Sequence, residues 1–164
     1  MTTDFKGKAY NVFQMFNDQW AVITAGTLEK YNAMTISWGS MGTLWGMPGK
    51  GKSTMTVYVN PERYTHQFVE ENEYFNVCFF PPEYRKDLGI LGSKSGRDCD
   101  KVDLTELTPT AASHGVAFEQ AKLTLSAGSF ILISLRLRKF LRKCTKCFTL
   151  GSSLTICILE RSLM

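Results

Sequence analysis

The chain has 164 residues, 44% of them apolar and 21% charged, which is enough for one domain with a real core and ordinary for a globule in water. No run of about 18 uncharged apolar residues occurs, and Met1-Thr2-Thr3-Asp4-Phe5-Lys6 lacks the basic start and apolar stretch of a secretory leader, so no membrane partner and a cytoplasmic location are expected. The net charge of +4 belongs to the tail, because residues 1–125 carry 12 Lys and Arg against 14 Asp and Glu while residues 126–164 carry 7 against 1; a nucleic-acid partner would rest on that tail alone and is not expected.

Along the chain, Ala21 to Gly26 reads as a short strand ended by glycine, and Met34 to Trp38 as a second strand after a polar turn at Glu29 to Asn32. Gly46 to Ser53 is a loop by composition, and the alternation in Thr54 to Val59 marks a half-buried strand. Asn60 or Pro61 opens a helix in which Tyr64, Phe68 and Val69 recur at helical spacing. Tyr74 to Phe80 is a further strand, stopped by Pro81-Pro82; residues 83–91 read as a short helix, 92–103 as a Gly- and charge-rich loop, 104–108 as a turn and Ala117 to Leu125 as a strand. Many short strands with few helices predict a mainly β protein, a small antiparallel β-barrel.

Three segments carry the chemistry: Asn32-Ala33-Met34-Thr35-Ile36-Ser37-Trp38, Arg63-Tyr64-Thr65, and Gly92-Ser93-Lys94-Ser95-Gly96-Arg97-Asp98-Cys99-Asp100-Lys101. Small hydroxyls, main-chain donors freed by glycine and fixed cations stand there beside flat and apolar groups. A ligand with a phosphate end and a planar ring end needs that combination, and a flavin mononucleotide is such a ligand. Arg63 and Thr65, two residues apart at a helix start, offer a forked cation and a hydroxyl to one phosphate. Each residue also has a plainer reading: Arg63 and Thr65 as a surface arginine beside a capping threonine, Trp38 and Met34 as core, Lys101 as half of a solvated pair with Asp98 or Asp100.

Other motifs carry little. Lys50-Gly51-Lys52 lacks the Gly-x4-Gly-Lys-Ser/Thr pattern of a phosphate loop. Five cysteines at irregular spacing argue for reduced thiols, and Cys144-Thr145-Lys146-Cys147 has no second pair for zinc. His66 and His114 fall near element ends, where exposure is expected, and neither has a second ligand at metal spacing; no metal site is expected.

Asn32 to Trp38, Leu44-Trp45-Gly46, Arg63-Tyr64-Thr65 and Ser93 to Lys101, in that order and spacing, resemble the flavin reductase-like family of FMN-binding split barrels, the group that includes flavoredoxin. The likeness spans roughly residues 9–125. It implies a split-barrel homodimer with FMN held noncovalently near the subunit interface. Asn32 and the backbone of Ala33, Met34 and Thr35 would face the isoalloxazine edge, with Trp38 near the ring. Arg63 and Thr65 would hold phosphate, and Ser95, Arg97 and Lys101 would add donors around phosphate or ring. The implied function is an oxidoreductase passing hydride or electrons through the flavin, with NAD(P)H or a protein as donor. The alternatives are a nonenzymatic electron carrier, or a barrel inactivated by loss of its last segment.

From Ser126 onward the resemblance stops inside a predicted strand. Rebuilding codons from the third base of one residue and the first two of the next lets Ser126 to Ile131 encode Cys-Arg-Lys-Leu-Tyr. The same shift lets Lys143 to Leu150 encode Met-His-Lys-Met-Phe-Tyr-Pro, and Ile156 to Ser162 encode Met-Tyr-Ile-Gly-Glu-Ile. These resemble the family's ending in order and in one frame. Residues 1–125 are therefore expected to form the FMN-binding domain, incomplete at its C-terminal side, and residues 126–164 an aberrant basic tail translated out of frame.

Overall fold

The computed structural model describes residues 9–44, 46–135 and 154–160. A helix α1 (Val12–Asn17) comes first, capped where the Asn11 side chain accepts the Gln14 N–H. Six residues are too few to reveal a helical period, and the sequence pattern does not announce this helix. Strands β1 (Ala21–Gly26) and β2 (Tyr31–Ile36) form an antiparallel hairpin. At its corner Gly26 has a φ of 113°, and a Cβ there would lie 2.2 Å from the Lys30 carbonyl oxygen, so the turn requires glycine.

Strand β2 starts at Tyr31, ahead of the expected Met34, because the turn closes over Thr27 to Lys30 through reciprocal backbone bonds. Ser37 and Trp38 lie beyond its end. Strand β3 (Gly39–Leu44) is unannounced in the sequence: Gly39, Ser40 and Gly42 break any alternation, and the strand is held by pairing with β4 (Lys52–Val59). Helix α2 (Tyr64–Glu71) and strand β5 (Tyr74–Phe79) follow, then a single 3-10 turn at Pro82–Tyr84 and helix α3 (Arg85–Ser93).

The expected strand Ala117 to Leu125 is in fact two elements. Strand β7 (Val116–Phe118) pairs with β6 (Pro109–Ala111), and a turn closed by Ala121 N–H on the Phe118 carbonyl separates it from β8 (Leu123–Leu135). The β6–β7 hairpin is fastened to the sheet by buried side chains: the Thr24 hydroxyl donates to the Val116 carbonyl, and the Asn76 amide to the carbonyls of His114 and Val116.

With β9 (Leu154–Glu160), the described residues form an antiparallel sheet in the order β2-β1-β5-β8-β9-β4-β3. Side chains from β2 and from β4, near opposite ends of that order, share one core: Met34 and Ile36 with Met55, Val57 and Val59, joined by Ile23, Val77, Phe79, Leu125 and by Phe16 and Phe68 from α1 and α2. Only a sheet coiled on itself brings these strands together, which makes the molecule a barrel. The outer face of β1, β2 and β5 buries Val22, Ala33 and Cys78 against Leu88 and Leu91 of α3. Strands β1 and β5 are thus covered on both sides, which is why they read as continuous apolar runs.

Ser126, where the resemblance stops, lies inside β8 opposite Asn76, and β9 is seated between β8 and β4. Residues 136–153, with most of the tail's positive charge and both cysteines of the CxxC, lie outside the described residues, as does Trp45 of the Leu44-Trp45-Gly46 motif.

Candidate functional site

Strand β2 organises the site because its alternation sends neighbouring side chains to different layers. Met34 enters the inner core and Ala33 the outer one. Asn32 is buried and donates its side-chain N–H to the Thr65 hydroxyl at 2.6 Å, tying β2 to the first turn of α2. Thr35 donates its hydroxyl to the Leu88 carbonyl at 2.5 Å, tying β2 to α3. The loop after α3 closes on the same strand. A Cβ on Gly92 would come 3.3 Å from the Thr35 Cβ, and one on Gly96 would come 2.3 Å from the Asn32 Oδ1 and 3.2 Å from the Tyr64 ring. The three chemistry-bearing segments therefore lie against one another, and glycine at 96 is what permits the contact.

The cations differ in what they do. Lys101 is 4% exposed and donates its ammonium to the carbonyls of Leu91 at 2.9 Å and Lys94 at 3.2 Å, capping the C-terminal end of α3. Burial, with the Arg63 cation nearby, pulls its pKa down to about 8. Arg97 donates to the Glu62 carbonyl at 3.0 Å and lies 5.0 Å over the Tyr64 ring. Ser95 is half-buried and accepts the Arg97 N–H. Arg63 is exposed at the start of α2, and among the described residues its guanidinium has no hydrogen bond or ion pair.

Two clefts flank β2. One, of about 190 Å³, is lined by Met34, Thr35, Ser37, Trp38 and Arg63, with Ile36, Tyr58, Asn60 and Gly92 completing its wall. Trp38 is 49% exposed there, so an indole surface and a free guanidinium border the same space. The other, of about 360 Å³, runs past Tyr31, Asn32, Ala33, Tyr64 and Lys101 to the acidic edge at Glu29 and Asp100. Burial and the charges of Asp100 and Asp103 push the Tyr31 hydroxyl up to about 12.

Of the residues singled out from sequence, Met34, Thr35, Trp38 and Arg63 line the smaller cleft, and Asn32, Ala33 and Lys101 the larger. Thr65 is 1% exposed, and its hydroxyl accepts the Asn32 bond within the protein. Ser95 and Arg97 are absent from both linings and hold the loop instead. Tyr58 and Asn60 were not singled out: Tyr58 reads as one more alternating strand residue, and Asn60 as a cap, since its side chain accepts the Glu62 N–H. His66, expected exposed, is buried with its Nδ1 3.2 Å from the Glu70 carboxylate, because α2 packs on the barrel along the face that carries Thr65, Phe68 and Val69. No cluster of metal-ligating side chains and no helix long and apolar enough to cross a membrane occurs among the described residues.

Comparison with known proteins adds to this geometry. Among solved structures, similar folds include flavoredoxin from Methanosarcina acetivorans (20% identity, TM-score 0.62, covering 87% of this chain and 64% of that one). An FMN-binding protein from Thermus thermophilus with bound 1-cyclohex-2-enone is similar at 18% identity and a TM-score of 0.63, covering 98% and 76%. An NADH:FAD oxidoreductase from Streptomyces globisporus in complex with NAD and FAD fragments is similar at 16% identity and a TM-score of 0.58, covering 87% and 70%. At these identities the likeness is one of fold, and the chain spans less than two thirds of the flavoredoxin's length. A search of curated protein sequences gave no match. The model of the flavin reductase like domain matches residues 13–127, the stretch that builds both clefts, and the chain belongs to that family.

Proposed function

We propose that this protein holds FMN noncovalently in the cleft between β2 and the start of α2 and acts as an oxidoreductase through it. The observation that carries the reading is the pairing, in one cleft, of an unpartnered guanidinium at Arg63 with the half-exposed indole of Trp38. These suit the two ends of a flavin nucleotide: Arg63 for a phosphate at a helix start, Trp38 for a flat ring, with Ser37 on the same cleft wall as a polar contact. A bound flavin supplies hydride and single-electron transfer from its own ring, and the protein contributes placement and hydrogen bonding. The NAD fragment in the Streptomyces relative favours a nicotinamide donor, and the family resemblance favours a homodimer in the cytoplasm.

The flavoredoxin among the similar structures favours a second reading, a carrier that exchanges electrons with proteins. One assay separates the two. Purified protein given FMN is tested for oxidation of NADH and NADPH: turnover supports the oxidoreductase, bound flavin without turnover supports the carrier, and failure to bind FMN rejects both.

We further propose that residues 126–164 are translated out of frame, following a FMN-binding domain of residues 1–125. The family match ends at residue 127, next to the point where composition and charge change. Resequencing the DNA between the codons of Leu125 and Met164 decides it. A single insertion or deletion that restores the family ending is expected, and an unaltered frame rejects the idea.

A further inference from the structure

The flavin reading leaves Lys101 without an obvious task. Its ammonium is buried and makes two bonds to carbonyls at the end of α3, Leu91 and Lys94. Between those carbonyls in the sequence lies Gly92, a wall residue of the cleft that Arg63 and Trp38 share, where an added Cβ would come 3.3 Å from the Thr35 Cβ. Two residues past Lys94, Gly96 rests on Asn32 and Tyr64. A cation there gathers carbonyls that the end of a helix leaves without partners, so it fixes the path of the chain across the cleft wall. We infer that Lys101 is a positioning residue for flavin binding, acting through the end of α3 and Gly92 and touching neither the phosphate nor the ring.

This inference rests on the flavin reading, and it differs from direct contact in a measurable way. A phosphate ligand matters for FMN and not for riboflavin, which lacks the phosphate, whereas a residue that shapes the wall matters equally for both. The charge is also exposed to titration, since the pKa of Lys101 is lowered to about 8. The charged and titratable groups around it are Arg63 at the start of α2, Cys99 and Asp100 on its own loop, and Glu29, Lys30 and Tyr31 from the β1–β2 turn, all but Arg63 lining its cleft. Losing the proton weakens the hold on the two carbonyls and leaves Arg63 in its place at the start of α2.

The experiment measures affinity for FMN and for riboflavin in the wild type, Lys101→Met and Lys101→Arg, with melting temperature recorded for each. Lys101→Met is expected to weaken both flavins by the same factor, about tenfold, for loss of two charge-assisted bonds, and Lys101→Arg to stay within about threefold of wild type. In the wild type both affinities are expected to fall from about pH 7 to about pH 9, with no such fall in Lys101→Arg. Should Lys101→Met fail to fold, the wild-type pH series beside Lys101→Arg still decides. Loss confined to FMN overturns the inference by making Lys101 a phosphate ligand. Unchanged affinity for both flavins, or a flat wild-type profile, overturns it as well. Wild-type protein that binds neither flavin rejects the functional reading and this inference with it, whereas the other failures leave the flavin reading standing.

Discussion

Lys101 and Arg63 sit close enough to feel each other's charge, yet one is buried on backbone carbonyls and the other projects into a cleft with no protein partner among the described residues. The difference teaches how to sort cations around a candidate anion site. A buried ammonium that already satisfies its neighbours has little left to offer a ligand, and its removal disturbs the scaffold. An exposed guanidinium with open donors costs the fold little and is free for recognition. The same division separates Thr65, which is buried and accepts the Asn32 amide, from Ser37 on the open cleft wall.

Four changes test that division, beginning with the largest effect. Gly96→Ala drives a methyl into Asn32 and Tyr64, and because Asn32 is already anchored on Thr65 it cannot swing away. A loss of about 3 kcal/mol in urea unfolding is expected, the upper end for overpacking; a loss below about 0.5 kcal/mol, the scale of a neutral surface change, shows that the loop does not press on β2. Arg63→Ala is expected to cost at least about tenfold in FMN affinity, the value of a charge-assisted bond, while riboflavin affinity and unfolding midpoint stay near wild type. Equal loss for both flavins removes Arg63 from the phosphate.

Thr65→Val keeps the shape and deletes the acceptor for the Asn32 amide, so stability should fall by about 1–3 kcal/mol in chemical denaturation. If stability is unchanged and only FMN affinity falls, the hydroxyl belongs to the ligand after all. The smallest effect is a pH slope. Since the pKa of Lys101 drops from 10.5 to about 8 on folding, the unfolded chain binds the extra proton between those values, and the contribution of this group to stability rises with pH across that window. Wild type should therefore gain stability relative to Lys101→Met as the pH rises from about 8 toward 10.5, and a difference that stays constant with pH would show that folding leaves the lysine pKa unchanged.

Much of the barrel was legible in the sequence where burial is two-sided or strictly alternating. Strand β1 ends at Gly26 as expected, and β5 stops before the two prolines. What escaped was local structure with no pattern of its own. Helix α1 has too few residues to show a period, and β3, rich in glycine, owes its conformation to the partner strand β4. The convergence of segments about 60 residues apart was foreseeable from their chemistry. The division of labour among them was not, because it depends on depth: Asn32, Thr65 and Lys101 look like ligands in a line of letters, and only packing shows the Asn32 N–H bonded to the Thr65 hydroxyl and the Lys101 ammonium to backbone carbonyls.

The place of β9 in the sheet has one last consequence. Seated between β8 and β4, it is, among the described residues, the link in the hydrogen-bonded order that joins β2-β1-β5-β8 to β4-β3. A ladder is built from backbone N–H and C=O groups and reads extended conformation, with no vocabulary for side-chain identity. Leu154 to Glu160, with Thr155, Ile156 and Ile158 favouring extension, can occupy that gap whatever frame it was translated from. The barrel thus has a keystone position that accepts a strand on grammar alone.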